Sequence, residues 1–369
     1  MAAIFAIAAM VLWLRAFAGL SGTGDYLYGV VWHSHEMLFG FSVAVISGFL
    51  LTAVRNWTGL PTPTGIALAM LAILWLAARV LIIRGPALFA AIADVAFLPA
   101  LALAIAGPVV HSKSRRNYKV IAIVLMLAVA HGAFNLGSLG YTEAWLSRVS
   151  LFAGIDIVII LMSVIGGRVI PAFTRNAIPD ATSRHEPWVE VITFASMILI
   201  IAASVLKGLW ATPPMLMASL LIVAAAGHAT RLALWDPGKT VRNPLLWMMP
   251  VAYSWIPLAF LLRALAATNV IAAGAWIHAV TMGAVSALML AMMMRSSLGH
   301  TGRQLVATRT DMAAFLLLQL AAIVRVFASL ASGDAYQYWI IASGLIWALA
   351  FLVFTIRYLP ILSRSRVPD

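Results

Sequence analysis

Cysteine is absent from all 369 residues. That excludes disulfides, thiolate metal ligands, iron–sulfur clusters and covalently attached c-type haem. Any metal must be held by His, Met, carboxylate or backbone, and any haem non-covalently. Charge is scarce too: 10% of residues are Asp, Glu, Lys or Arg, 63% are hydrophobic, and the mean hydropathy is +1.01. Soluble domains carry about 25% charged residues, so this chain lacks the polar surface to face water, and lipid must be its solvent. Acidic residues are scarcest, 12 against 24 Lys and Arg, for a formal charge of +12. In a soluble protein such an excess suggests nucleic acid; here the basic residues gather in loops on one side, so it is a topology signal and no nucleic-acid partner is expected. Long polar linkers are missing and no internal repeat is evident. Residues 1–369 read as a single transmembrane domain.

What is present is a series of apolar runs of about 18–25 residues that do not alternate, which excludes a barrel and predicts an all-α, polytopic membrane helix bundle. The expected spans lie near 2–20, 33–55, 64–83, 86–110, 117–138, 143–168, 187–207, 213–234, 243–267, 269–294, 308–331 and 336–358. The run beginning at Met1 has no small-residue cleavage site ahead of a polar mature domain, so it reads as a span and not a signal peptide. Turn residues such as Gly59-Leu60-Pro61-Thr62-Pro63 and Asp236-Pro237-Gly238 separate the runs.

Orientation follows from Lys and Arg. With both termini in the cytoplasm, 17 basic residues fall on the inner side: Arg55, Lys113, Arg115, Arg116, Lys119, Arg168, Arg175, Arg184, Arg231, Lys239, Arg242, Arg295, Arg303, Arg309, Arg357, Arg364 and Arg366. Arg84, Lys207 and Arg263 fall outside, only 3 in number. Arg15, Arg79, Arg148 and Arg325 are intramembrane, in the outer half of their spans, and so are Asp94, Asp156, Asn135, His33, His35, His131 and His278. Snorkelling from a helix end accounts for Arg148 and Arg15. It does not account for Asp94, Asp156, His131 or His278, because intramembrane charges are expensive and mark functional cavities by default.

Trp32-His33-Ser34-His35-Glu36-Met37-Leu38-Phe39-Gly40 opens the second span. On a helix, residues two apart point about 200° apart and residues three apart share a face, so His33 and Glu36 are expected to face one way and His35 another. Each His is a metal candidate, or else an interface residue or cap. His131 has Asn135 one turn on, expected to orient its imidazole. His278 is followed by small residues at Ala279, Gly283 and Ser286 that admit something bulky, a helix or a flat macrocycle. The plainer reading of His131 and His278 is a buried imidazole bonded to a carbonyl. His228, in the inner half of the eighth span, is either structural or a ligand of a second centre. His111, His185 and His300 read as solvated loop residues. Were a haem present, Arg79, Arg148 and Arg325 would suit its propionates. Two inner segments, Gly166–Thr174 (GGRVIPAFT) and Arg295–Arg303 (RSSLGHTGR), each end a long span with Gly, Arg and a helix breaker. They read as capped ends with positive-inside arginines or as anion sites through Arg168 and Arg295.

His33-Ser34-His35-Glu36-Met37-Leu38-Phe39-Gly40, GGRVIPAFT at 166–174 and HAVTMGAVSALMLAMMMRSSLGHTGR at 278–303 together resemble the NnrS family of bacterial membrane proteins over nearly the whole chain. Two departures stand out. The chain lacks the short Pro/Arg/Phe-containing lead associated with the family, as though truncated at its start, and Ala172 stands where a second aromatic is expected. The resemblance implies a multi-pass protein of the bacterial inner membrane that contains haem b, and copper as well, and is tied to denitrification and the nitric oxide response. His33, His35, Glu36, Arg168, Pro171, His278, Arg295, His300 and Arg303 match the family's motifs. A looser, fold-level resemblance to the main subunit of haem–copper oxidases carries little weight, since the adjacent His pair of those enzymes is absent.

The first functional reading is therefore a haem b or haem–copper protein that binds or processes nitric oxide, or transfers electrons. His33, His35, His131 and His278 are its ligand candidates and Glu36 a proton relay or supporting carboxylate. Turnover would need an electron-donor protein or quinol. The alternative is a proton-coupled permease using the His/Arg/Asp cluster, though transporters place such groups at the midplane. A structural partner of a respiratory complex ranks last.

Overall fold

The computed structural model describes residues 1–206, 212–330 and 335–367. It is 83% helical, with no strand among the described residues. Helices form because backbone amides in lipid must be satisfied internally. In chain order they are α1 (Ala2–Phe17), α2 (Gly29–Thr58), α3 (Gly65–Arg84), α4 (Ala87–His111), α5 (Arg115–Ser138), α6 (Ala144–Ala177), α7 (Pro187–Val205), α8 (Pro214–Leu234), α9 (Pro244–Ala267), α10 (Ala273–His300), α11 (Arg309–Leu330) and α12 (Tyr336–Leu362). Eleven of them, α2 to α12, are long and apolar enough to cross a membrane. The chain is a multi-pass membrane protein. α1 has 16 residues, which at 1.5 Å per residue gives about 24 Å, short of the roughly 30 Å hydrocarbon core. Many hydroxyls inside the spans are spent on carbonyls of the preceding turn, as in Ser47 to Val43 and Thr355 to Phe351.

Several boundaries differ from expectation. α2 begins four residues early, so both His33 and His35 lie within the helix. α6 does not stop at Arg168: it runs through Gly166-Gly167 and Pro171 to Ala177, because those glycines are packing positions and not a terminus. α10 continues to His300, six residues beyond its expected end. Lys207, counted among the outer charges, lies outside the described residues, as does the last expected residue of the 308–331 span.

The chain forms two compact units, Met1–Leu161 and Met162–Asp369, the division falling inside α6. An internal repeat, not evident in the sequence, emerges from their helices: α1–α4 match α9–α12. α2 and α10 each widen from an α- to a π-helix, at Glu36–Ser42 and Ala279–Ser286. Each wide turn directly follows a histidine, His35 or His278. Each closes on a serine whose hydroxyl donates to the carbonyl five residues back, Ser42 to Met37 and Ser286 to Thr281, both at 2.8 Å. Leu14-Arg15-Ala16 in α1 matches Leu262-Arg263-Ala264 in α9, and with His35 set on His278, Gly40 falls on Gly283. Arg79 follows Thr64 by 15 positions, and Arg325 follows Thr310 by 15. Identity between the copies is too sparse to register as a sequence period.

Candidate metal centre

In the first unit α2, α3, α4 and α5 place five ionisable side chains together, all almost fully buried: His35, Glu36, Arg79, Asp94 and His131. His35 Nε2 lies 2.8 Å from Asp94 Oδ2, His131 Nε2 lies 2.7 Å from the same oxygen, and the two Nε2 atoms are 3.1 Å apart. His35 Nδ1 donates to Glu36 Oε1 at 2.9 Å, and Arg79 Nη1 donates to that same oxygen at 2.8 Å. Arg79 Nη2 pairs with Asp94 Oδ1. Phe39 stacks on the His131 ring with centroids 4.1 Å apart, and Phe134 stacks on His35 at 5.0 Å. Gly40 makes room beneath: a Cβ there would sit 2.9 Å from Glu36 Oε2 and 3.0 Å from Arg79 Nη1. Its carbonyl accepts from Trp75 Nε1 at 3.0 Å.

The proton bookkeeping of this cluster is decisive. The bond from His35 Nδ1 to a carboxylate puts the proton on Nδ1, so a neutral His35 turns the lone pair of Nε2 toward Asp94. Asp94 Oδ2 is an acceptor only. A proton on His131 Nε2 satisfies one edge of the triangle and leaves the His35–Asp94 edge as lone pair against lone pair. Three such atoms mutually 2.7–3.1 Å apart require a cation between them, a further proton or a metal. Tetrahedral metals with bonds of about 2.0–2.1 Å hold ligand atoms about 3.3 Å apart, a few tenths of an ångström wider than this triangle. The carboxylate on His35 Nδ1 is the supporting group that fixes tautomer and ring plane in metal–histidine sites. Glu36 and Asp94 carry two negative charges and Arg79 one positive, so the pocket is one charge short of neutral. Among the described residues, His35, Asp94 and His131 form a group of three His or carboxylate ligands within 4.8 Å of one another.

The sequence expectations fare unevenly here. His35 and His131 meet. Glu36 joins His35 and Arg79; the turn from His33 to Glu36 is α-helical, as expected, and the wide turn lies beyond it. His33 stacks on Trp13 at 4.5 Å. Asn135 does not bond the His131 imidazole. Its amide donates to the His131 carbonyl at 3.0 Å, and its oxygen accepts from Tyr26 at 2.7 Å. Burial raises the Tyr26 hydroxyl well above its ordinary value, which keeps it a donor. Asp94 was legible as an intramembrane acid but not as a partner of His35 and His131.

The second unit holds a different cluster, around α6 to α9. Arg231 was assigned to the cytoplasmic loops, but it is buried and all five of its N–H groups are used. Nε and Nη2 donate to the two Glu190 oxygens at 2.6 and 3.0 Å, Nη1 to the Tyr253 hydroxyl at 2.7 Å, and Nη1 and Nη2 to the Ser163 carbonyl, each at 3.2 Å. Tyr253 thereby passes its own proton to His228 Nδ1, 2.7 Å away, and His228 Nε2 faces the Met197 sulfur at 3.3 Å. His228 is thus a satisfied neutral imidazole with both nitrogens partnered, which is its structural reading. The glycines of GGRVIPAFT build this cluster: a Cβ on Gly167 would run into the Arg231 guanidinium, and one on Gly166 would lie 3.5 Å from the Tyr253 ring. Neither Glu190 nor Tyr253 stood out in the sequence. The available signal was the three-residue spacing of His228 and Arg231, which puts both on one helix face.

Of the remaining candidates, His278 Nδ1 donates to the Gly274 carbonyl at 2.8 Å. The bulky group admitted by Gly283 is the indole of Trp255. Arg325 Nη1 donates to Ser329 Oγ at 2.7 Å. Arg295 lies over the Phe173 ring at 4.0 Å, Arg168 is half-buried, and Arg148 is exposed near the start of α6, as snorkelling requires.

Compared with known proteins, the chain matches the family model described as NnrS protein over residues 1–366. No curated protein matches it.

Proposed function

The chain belongs to the NnrS family, membrane proteins of the nitric oxide response, and from that premise we propose that it works through a transition metal held by His35, His131 and Asp94. The observation that carries this reading is the buried triangle of three converging ligand atoms, which needs a cation to be stable. Two imidazoles and one carboxylate are a donor set for copper or for non-haem iron. Copper is the metal the family resemblance implies, and a pocket of net charge −1 is neutralised by a monovalent ion such as Cu(I). When bound, the metal would supply a position for nitric oxide. The chain's own residues would hold and orient it: Glu36 fixes the His35 tautomer, Arg79 holds both carboxylates in place, and Phe39 and Phe134 pack against the imidazoles.

For haem b the candidate ligand is His278, whose Nδ1–H the Gly274 carbonyl holds. Haem b, copper, a quinol or protein electron donor, and the bacterial inner membrane complete the proposal. Anaerobic nitric oxide titration of metal-loaded protein, followed by EPR and absorption, tests it: wild-type is expected to give a nitrosyl signal that D94N lacks. Equal signals from both would overturn the site, and a colourless, metal-free protein would favour the permease reading. H278A is expected to lose or shift the Soret band, with H185A unchanged.

A further inference from the structure

The repeat gives the two copies different charge balances. In the first, a carboxylate stands between the histidine before the wide turn and the arginine of the next helix: Glu36 Oε1 accepts from both His35 and Arg79, and Asp94 pairs with Arg79 as well. In the second copy the stations are kept. Gly274 lies against Ser329, its Cβ position 3.1 Å from Ser329 Oγ. His278 is one turn further along α10, and Arg325 is one turn back along α11, donating to Ser329. His278 and Arg325 therefore stand at one level on antiparallel neighbours. The carboxylates are not kept: Ala273–Ser286 contains no acidic residue. Among the described residues Arg325 pairs with no carboxylate; its neighbours are the Ser329 and Tyr336 side chains. Neutral hydroxyls do not discharge a half-buried guanidinium in a membrane span. Exposed Phe327 and Trp339, packed edge to face at 5.9 Å, mark the same end of the helix pair. Such an aromatic belt belongs at the lipid headgroup level.

We propose that Arg325 binds an oxyanion, a carboxylate or phosphate carried by a membrane-soluble molecule, in the place that Glu36 fills in the first copy. The two sources of this chemistry are a haem propionate, which rests on the haem reading above, and an anionic lipid headgroup, which does not. Native mass spectrometry of the protein in mild detergent tests it on wild-type, R325Q, R325K and the exposed-tail control R364Q. Wild-type and R364Q are expected to retain an oxyanion-bearing molecule that R325Q retains roughly tenfold less, the cost of one charge-assisted hydrogen bond. R325K is expected to fall between them and keeps the question answerable should R325Q fail to fold. A retained mass equal to haem b assigns the propionate. A retained lipid assigns the phosphate, and binding to vesicles containing phosphatidylglycerol, but not to phosphatidylcholine alone, corroborates it. Metal content at the His35–Asp94–His131 triangle stays unchanged in R325Q, which separates this proposal from the metal reading. Equal retention by wild-type and R325Q, or a wild-type that carries neither molecule, overturns it.

Discussion

Individual residues in this protein divide into those whose polar atoms converge on one point and those already satisfied within the chain. His131 and Asp94 converge with His35, the point where the proposed metal would bind, whereas His228 has both nitrogens satisfied by Tyr253 and Met197. H228A is therefore expected to leave metal content unchanged while lowering stability by about 1–3 kcal/mol, the cost of orphaning the buried Tyr253 hydroxyl; thermal unfolding in detergent with parallel metal analysis checks both parts. G167A is expected to destabilise by about 1–3 kcal/mol as an overpacked site, because its Cβ collides with Arg231. A G167A protein that melts with wild-type would contradict that packing. At this scale the sequence was partly legible. Buried ionisable groups stand out in apolar runs, so His35, Glu36, His131 and Asp94 were visible one by one. Which of them meet depends on helix register, and Tyr253 and Glu190 look ordinary until Arg231 reaches them.

At the scale of elements, the wide turns set how the first part of α2 and of α10 is rotated against the remainder of each helix. A helix of 3.6 residues per turn puts His33 and Glu36 on one face; the extra residue in Glu36–Ser42 lies beyond them and turns His33, His35 and Glu36 together relative to the rest of α2. Deleting Phe41 would restore an α-helical turn and rotate His35 by about 100° relative to the rest of α2. The deletion protein is expected to insert but to lose its metal, and retention of metal would show that the wide turn does not position the centre. Nothing in the residue pattern announces such a turn, since serine, glycine and apolar residues are common in membrane helices generally. Helix existence was legible throughout, because length and hydropathy set it. The ends of α6 and α10 were not, because glycine and proline inside the spans serve neighbours such as Arg231 and Trp255 in place of breaking the helix.

For the whole molecule, eleven of the helices are long and apolar enough to span, and α1 is shorter; the biased Lys and Arg distribution is the sequence signal behind the expectation that both termini are cytoplasmic. Arg231 leaves that tally as a buried residue, and the bias survives its loss. The absence of native cysteine allows a clean check. Single cysteines at Ser114 and Ser183 are expected to resist a membrane-impermeant maleimide in intact cells, and one at Ser21 to react; the reverse pattern would invert the topology. The repeat relating α1–α4 to α9–α12 is a property of this scale, carried by wide turns and two arginines more than by identity.

The most direct test of the metal centre is elemental analysis of purified wild-type, H131A and D94N protein grown with copper and iron supplied. About one non-haem metal ion per chain is expected in wild-type, lost in both variants while they remain folded. The same metal content in all three proteins would contradict the assignment of His35, Asp94 and His131 as its ligands.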